Sequence, residues 1–233
     1  MKDLIKPYHI QEKLIRLGSL GDGGYIISLD ILSKTDICYS YGIGDNVDFD
    51  LAYIKSTGKN VHQYDHTIDF NRIPHKNSNF IQHNEGISGT KTDKTDNYLN
   101  HLIINGDTNK QVLLKMDVEG AEYEWLLNTD IEQIAKNTPC IILEFHWVGS
   151  YKNIFIDVIN KLNKYYKVVH IHQNTYGGMV EGIPDVPEIT FVRNDNELLG
   201  EPIAVTYPII GLDYPNAANH KEIPIVYDLT TKN

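Results

Sequence analysis

Short apolar runs rich in Ile, Val, Tyr and Phe recur along this chain, and segments of helical period lie between them. The runs are ICYSYGIG (37–44), VHQYD (61–65), NFIQHN (79–84), QVLLKMD (111–117), PCIILEFHW (139–147), KVVHIHQN (167–174) and PEITFVRN (187–194). Helical patterns span 47–60, 95–104, 119–137, with a break near Thr129, and 153–166. This alternation predicts an α/β fold with a mostly parallel sheet covered on both faces. The last two runs are joined by QNTYGGMVEGIPDV, too rich in Gly and Pro for a crossover helix, so one antiparallel strand is expected near the sheet's end.

A single domain is expected for 233 residues. Residues 1–35 read as an N-terminal cap, with GDGGYIIS following a short helix, and 36–194 as the core. Residues 195–233 carry Pro202, Pro208, Pro215 and Pro224 and read as an extended tail. The net charge of -10 and the lack of a basic face argue against a nucleic-acid partner. Cys38 and Cys140 lie in apolar strands and read as buried free thiols of a reducing compartment. No signal peptide and no membrane-length apolar run is visible, so a cytoplasmic protein without a membrane partner is expected. The oligomeric state is open, a homodimer being one option.

Chemistry-bearing residues gather at strand ends. Gly42 and Gly44 follow the first core strand, where glycine lets the backbone approach a ligand. Asp65 ends the next strand, where a carboxylate binds ribose in nucleotide-binding units. Asn46 and Val47 stand where a dinucleotide fingerprint would have its third glycine. A ribose-bearing ligand without a pyrophosphate, such as S-adenosylmethionine, fits better; a plain βα turn is the alternative. Asp117 closes one strand, and Glu144 and His146 lie two apart on another. Together they suit Mg2+ or Mn2+, or His146 serves as a general base. The plain alternatives are a helix cap for Asp117 and a core role for His146. His170 and His172 repeat the two-residue spacing before Asn174, Tyr176, Gly177 and Gly178, which reads as an acceptor contact or, for the two histidines, as satisfied structural groups. Asp22, Gly23, Gly24 and Tyr25 read either as site residues or as a hairpin turn.

The stretch LLKMDVEGAEYEWL (113–126) resembles the K-x-D-x-E-G-A-E-x-x-x-L signature of FkbM-type S-adenosylmethionine-dependent methyltransferases. RLGSLGDGGYII, YSYGIGDNVDFD, VHQYD, HIHQNTYGG, IPDVPEITFVR and GLDYPN resemble a methyltransferase-like branch of that group, from about residue 16 to about 216. The resemblance implies a Rossmann-like class I methyltransferase fold, seven-stranded and mostly parallel with one antiparallel strand. It implies that Gly42 and Gly44 approach the cofactor, that Asp65 holds its ribose, and that Glu85, Gly86 and Ile87 flank its adenine. Asp117 would face the methyl-transfer site. Family members mostly methylate oxygen, often on sugars, and some related enzymes use a divalent metal held by strand-end acids; here His146 takes the third position.

The expected activity is therefore O-methylation of a sugar hydroxyl, the acceptor being a nucleotide-linked sugar for surface or capsular polysaccharide. Asp117, His146 and His172 are the catalytic candidates. Asp22, Tyr25, His172 and Asn174 are the acceptor contacts, and Asp117, Glu144 and His146 the metal ligands. Rival readings are methylation of a phosphorylated metabolite, a non-catalytic cofactor-binding module, and a nicotinamide dehydrogenase, against which the missing glycine counts.

Overall fold

The computed structural model describes residues 1–228. Seven strands form one sheet: β1 (Ile37–Tyr41), β2 (Val61–Tyr64), β3 (Phe80–His83), β4 (Val112–Met116), β5 (Cys140–Glu144), β6 (Tyr166–Gln173) and β7 (Pro187–Arg193). Their order is β6-β7-β5-β4-β1-β2-β3. β7 runs antiparallel to both neighbours, and every other pairing is parallel. The Gly-rich connection before β7 forms a small hairpin, Met179–Val180 with Ile183–Pro184, in place of a crossover helix. This is the Rossmann-like methyltransferase architecture.

The helices are α1 (Leu29–Lys34), α2 (Asp48–Thr57), α3 (Tyr98–Asn105), α4 (Ala121–Asn128), α5 (Ile131–Ala135) and α6 (Lys152–Leu162). Gly58 ends α2 in the left-handed conformation, φ 69°, where a Cβ would be strained. The expected break in the third helical pattern is real: Thr129 leaves the helix, and Asp130 caps α5 by accepting from the backbone of Glu132 and Gln133.

Strand period divides the core. In β4, Val112, Leu114 and Met116 face one apolar layer with Trp125, Leu126, Phe145 and Phe155, while Leu113 faces the other with Cys38, Cys140, Phe49 and Tyr53. Lys115 shares the Leu113 side, one residue from the strand's end, so its ammonium reaches the sheet's carboxyl edge. Both cysteines are buried and free.

The N-terminal segment corrects the sequence reading. The residues before GDGGYIIS form a strand rather than a helix: Leu14–Gly18 pairs with Gly24–Ser28 in an antiparallel hairpin packed on α2. Ile15, Tyr25, Ile26 and Ile27, β-branched or aromatic residues with good strand propensity, favour that outcome. Within 195–228 the chain forms short strands laid on other parts of the domain. Leu199–Pro202 pairs with Tyr8–Ile10, and Val205–Tyr207 with Ile225–Tyr227. Among the described residues no helix is long and apolar enough to cross a membrane.

Candidate active site

The carboxyl ends of β1, β2 and β4 open into a cavity of about 340 Å3, within the range of small-molecule sites. Gly42, Gly44, Asp65, Gly86, Ile87 and Asp117 line it, with Asp22 and Tyr25 from the hairpin. Gly42 is obligatory: at φ 74°, a Cβ would lie 1.5 Å from the Asp117 carbonyl oxygen. Gly44, φ 56°, has nothing within 4 Å of its Cβ position, so the turn presents open backbone to the cavity.

Asp65 shapes this turn. Its Oδ2 accepts from the N–H groups of Ile43 and Gly44, both at 3.0 Å, and its Oδ1 from Thr67 N at 2.8 Å and Thr67 Oγ1 at 2.6 Å. Burial opposes its charge, yet these donors outweigh burial and hold the carboxyl below the usual carboxylate range. Four donors fill its four lone-pair directions. A ribose hydroxyl would therefore enter by replacing one, and the Thr67 hydroxyl, a free rotor, is the replaceable one. Beyond β2, Gly86 and Ile87 line the wall, but Glu85 does not; its carboxylate lies 3.4 Å from His101 Nε2.

Asp117 is not a helix cap. α4 starts at Ala121 with Gly120 as its cap residue, and Glu122 Oε2 accepts from Gly120 N at 2.8 Å. The Asp117 carboxylate instead meets Tyr25 OH at 3.1 Å, Lys115 Nζ at 3.6 Å and His146 Nε2 at 3.6 Å. Glu119 Oε2 lies 3.5 Å from the same Nε2. Ligand atoms of Asp117, Glu119 and His146 all fall within 4.8 Å of one another. Two carboxylates and an imidazole are a donor set suited to Mg2+ or Mn2+.

Glu144, expected among the metal ligands, is turned to other work. Its oxygens meet Asn174 Nδ2 at 2.7 Å and Tyr25 OH at 3.0 Å, and His146 Nε2 is 3.8 Å away. Burial, with the charges of Asp117 and Glu188, pushes its carboxyl well above the usual range. Tyr25 has one hydroxyl proton but two carboxyl neighbours, so a proton on Glu144 completes the bridge Glu144–Tyr25–Asp117. Asn174 thus touches the site through Glu144.

His146 is oriented by Glu122, whose Oε1 accepts from His146 N at 2.8 Å and lies 3.4 Å from Nδ1. Tyr123 OH donates to the His146 carbonyl at 2.8 Å. Burial lowers the proton affinity of His146, but Glu122, Asp117 and Glu119 more than reverse this, and its pKa is raised. Its Nε2 is the free face, turned to the acids.

His172 is removed from the catalytic set. Glu188 takes its Nδ1 at 2.8 Å and Glu222 its Nε2 at 2.6 Å. Burial works against its charge, but these acids win and push it up to about 10. An imidazole doubly held by acids and protonated at neutral pH accepts no proton there. His170 is likewise structural, 3.0 Å from Asp213. On the opposite rim, Asp22 Oδ1 accepts from Asn216 Nδ2 at 3.1 Å, and burial raises its carboxyl.

Sequence reasoning missed Glu119 as a third ligand, Glu122 as the orienter of His146, and Trp147. The acids stood in the EGAE run, but only the fold shows which way each turns. Trp147 is 46% exposed and sits in the left-handed region at φ 53°, uncommon for a bulky side chain. Its indole lies over Gly120, where a Cβ would be 2.9 Å from Cζ3.

A family model of the methyltransferase FkbM domain matches residues 23–194. The chain belongs to the FkbM methyltransferase family. No curated protein matches it. In this FkbM domain the matched segment contains β1 to β7, the glycine turn and the Asp117–His146 cluster. The cavity fits the S-adenosylmethionine that methyltransferases generally use: the turn is bare of side chains at Gly44, and one oxygen of the buried Asp50 carboxylate, which also lines the cavity, has no partner.

Proposed function

We propose that this methyltransferase moves a methyl group from S-adenosylmethionine to a hydroxyl of a sugar. The observation that carries the reading is the convergence of Asp117, Glu119 and His146 Nε2 at the cavity rim, beside the exposed face of Trp147. Acids and an imidazole suit a hydroxyl that must lose its proton. An exposed indole suits the apolar C–H face of a pyranose.

When bound, the cofactor supplies a methyl group activated by its sulfonium; Gly42, Gly44, Asp65, Gly86 and Ile87 would hold it. A divalent cation held by Asp117, Glu119 and His146 would stabilise an alkoxide. The chain's own part is to place the hydroxyl in line with the methyl carbon and take its proton. His146 Nε2, oriented by Glu122, is the base where no cation occupies it; with a cation bound, that lone pair is committed to the metal, and in either case Asp117 fixes the hydroxyl. Lys115 is the one Lys or Arg lining the cavity among the described residues, and Gly42 O (3.0 Å) and Asp117 already hold it. That disfavours a phosphorylated metabolite. A nucleotide-linked sugar, as used for surface polysaccharide, would enter ring first with its diphosphate away from these acids.

The test is calorimetric titration of S-adenosylhomocysteine with Mn2+, with Mg2+ and with a chelator, followed by methyl-transfer assays on methyl glycosides and nucleotide sugars. Cofactor binding together with O-methyl transfer to one of these sugars is the expected result. Binding without transfer to any of them would overturn the sugar assignment, and no binding would overturn the cofactor assignment.

A further inference from the structure

Asp50 is a buried acid that the scheme above does not use. It lies in the first turn of α2 and is 2% exposed. Two residues earlier, Asp48 turns outward to solvent. The helix dipole favours acids in a first turn and accounts for Asp48. It does not account for an acid driven into the sheet face.

There Asp50 meets polar groups from neighbouring strands. Ser40 of β1, Gln63 of β2 and Lys115 of β4 stand in cross-strand register. Gln63 Nε2 donates to Asp50 Oδ2 at 2.6 Å. Asp50 Oδ1 accepts from nothing, although it is fully buried. Burial raises the Asp50 carboxyl, and Gln63, then Lys115 from a distance, then the neighbouring Ser40 hydroxyl oppose this; the Lys115 ammonium itself is held by Gly42 O and Asp117. A buried carboxylate oxygen without a donor is costly, and persists where a ligand supplies the donor.

The cavity supplies the direction. Asp50 lines it with Ser40, Phe49, Tyr25 and Lys115. His66, Thr67, Gly86 and Ile87 form the wall beyond β2, where adenosine is placed. The amino-acid portion of the cofactor is left with the wall built by β1, β4 and α2. That portion carries one primary ammonium, a cation with three N–H donors. We infer that Asp50 receives the α-ammonium group of the cofactor's methionine portion through Oδ1. The inference rests on the reading of this cavity as an S-adenosylmethionine site.

Calorimetry on the full chain tests it with three probes. The first is S-adenosylhomocysteine, the second its analogue lacking only the α-amino group, and the third 5′-methylthioadenosine, which lacks the amino-acid portion. Asp50→Asn keeps the volume and a carbonyl for Gln63, but presents an NH2 to the cavity. It should weaken S-adenosylhomocysteine by about 10- to 100-fold, the span of a charge-assisted hydrogen bond, while the other two probes change by less than about threefold. Equal losses for all three probes, or no loss, would overturn the assignment and leave Asp50 a structural acid. The wild type alone gives a second reading: it must prefer S-adenosylhomocysteine to the deamino analogue by at least about 10-fold, on the same grounds. Equal affinities sink the Asp50 role but leave the cofactor intact, whereas binding of none of the three removes both.

Discussion

Replacing His172 by Gln should destabilise the protein by an amount that shrinks steadily as the pH rises. In the fold the imidazole is buried between Glu188 and Glu222, and its pKa rises from 6.5 to about 10. A histidine whose folded pKa exceeds its unfolded pKa binds more protons when folded. Its contribution is complete below pH 6.5 and is lost as the pH climbs through the folded value. At about 1.4 kcal/mol per unit, the shift corresponds to about 5 kcal/mol at pH 6 and about 3 kcal/mol at pH 8. Near pH 10 almost nothing remains. The depressed pKa of Glu188 reports the same ion pair and is not added to this sum. Urea unfolding followed by circular dichroism at pH 6, 8 and 9.5 measures the difference between wild type and variant. A difference that is constant with pH, or that grows, would refute the doubly held imidazolium and return His172 to the list of possible bases.

Asp117→Asn should cut turnover by at least about a hundredfold, the scale of lost acid–base or electrostatic assistance, with unchanged affinity for S-adenosylhomocysteine; retained turnover would reduce Asp117 to a structural acid. Asp65→Ala frees the N–H groups of Ile43 and Gly44 and should weaken S-adenosylhomocysteine by at least about 10-fold in calorimetry, because a charge-assisted pair of hydrogen bonds no longer sets the turn. Trp147→Ala should raise the acceptor KM and leave cofactor affinity alone. Trp125 is fully buried, so acceptor binding should shift the emission of Trp147. Gly120→Ala, at φ 98° with its Cβ 2.9 Å from the indole, should displace Trp147 and cost about 1–3 kcal/mol in thermal unfolding.

The seven strands were legible because each is a short apolar run closed by a polar or glycine signal, and burial on both faces leaves few other ways to hide such runs. β7 was readable as antiparallel from one Gly/Pro-rich connection. Asp65 and Asp117 were readable because they end strands, and strand ends meet at one edge of such a sheet. The N-terminal hairpin was legible only as one of two readings of Asp22 to Tyr25, and the residues before it read as a helix rather than the strand they form. The division of labour among the acids was not legible. Glu119, Glu122 and Glu144 are chemically alike, and only the left-handed backbone at Glu119, φ 51°, and the direction of α4 separate an outward acid from two buried ones. His172 shows the converse: its spacing matched an acceptor contact, but Glu222, 50 residues away, closes it off.

Asn216 ties together parts of the site made at very different times. Its side chain donates to Asp22 on the hairpin and to Glu188 on β7, and its carbonyl accepts from Thr175 N in the loop after β6. Asp22 and Asn216 are 194 residues apart. At ribosomal speeds of about 5–20 residues per second, the hairpin waits roughly ten seconds or more for the group that fixes its rim. A nascent chain that has emitted β1 to β7 already owns the glycine turn and Asp117, yet its Asp22 wall is unbraced. The Asp22 wall of the cavity is therefore completed late in the chain's own synthesis.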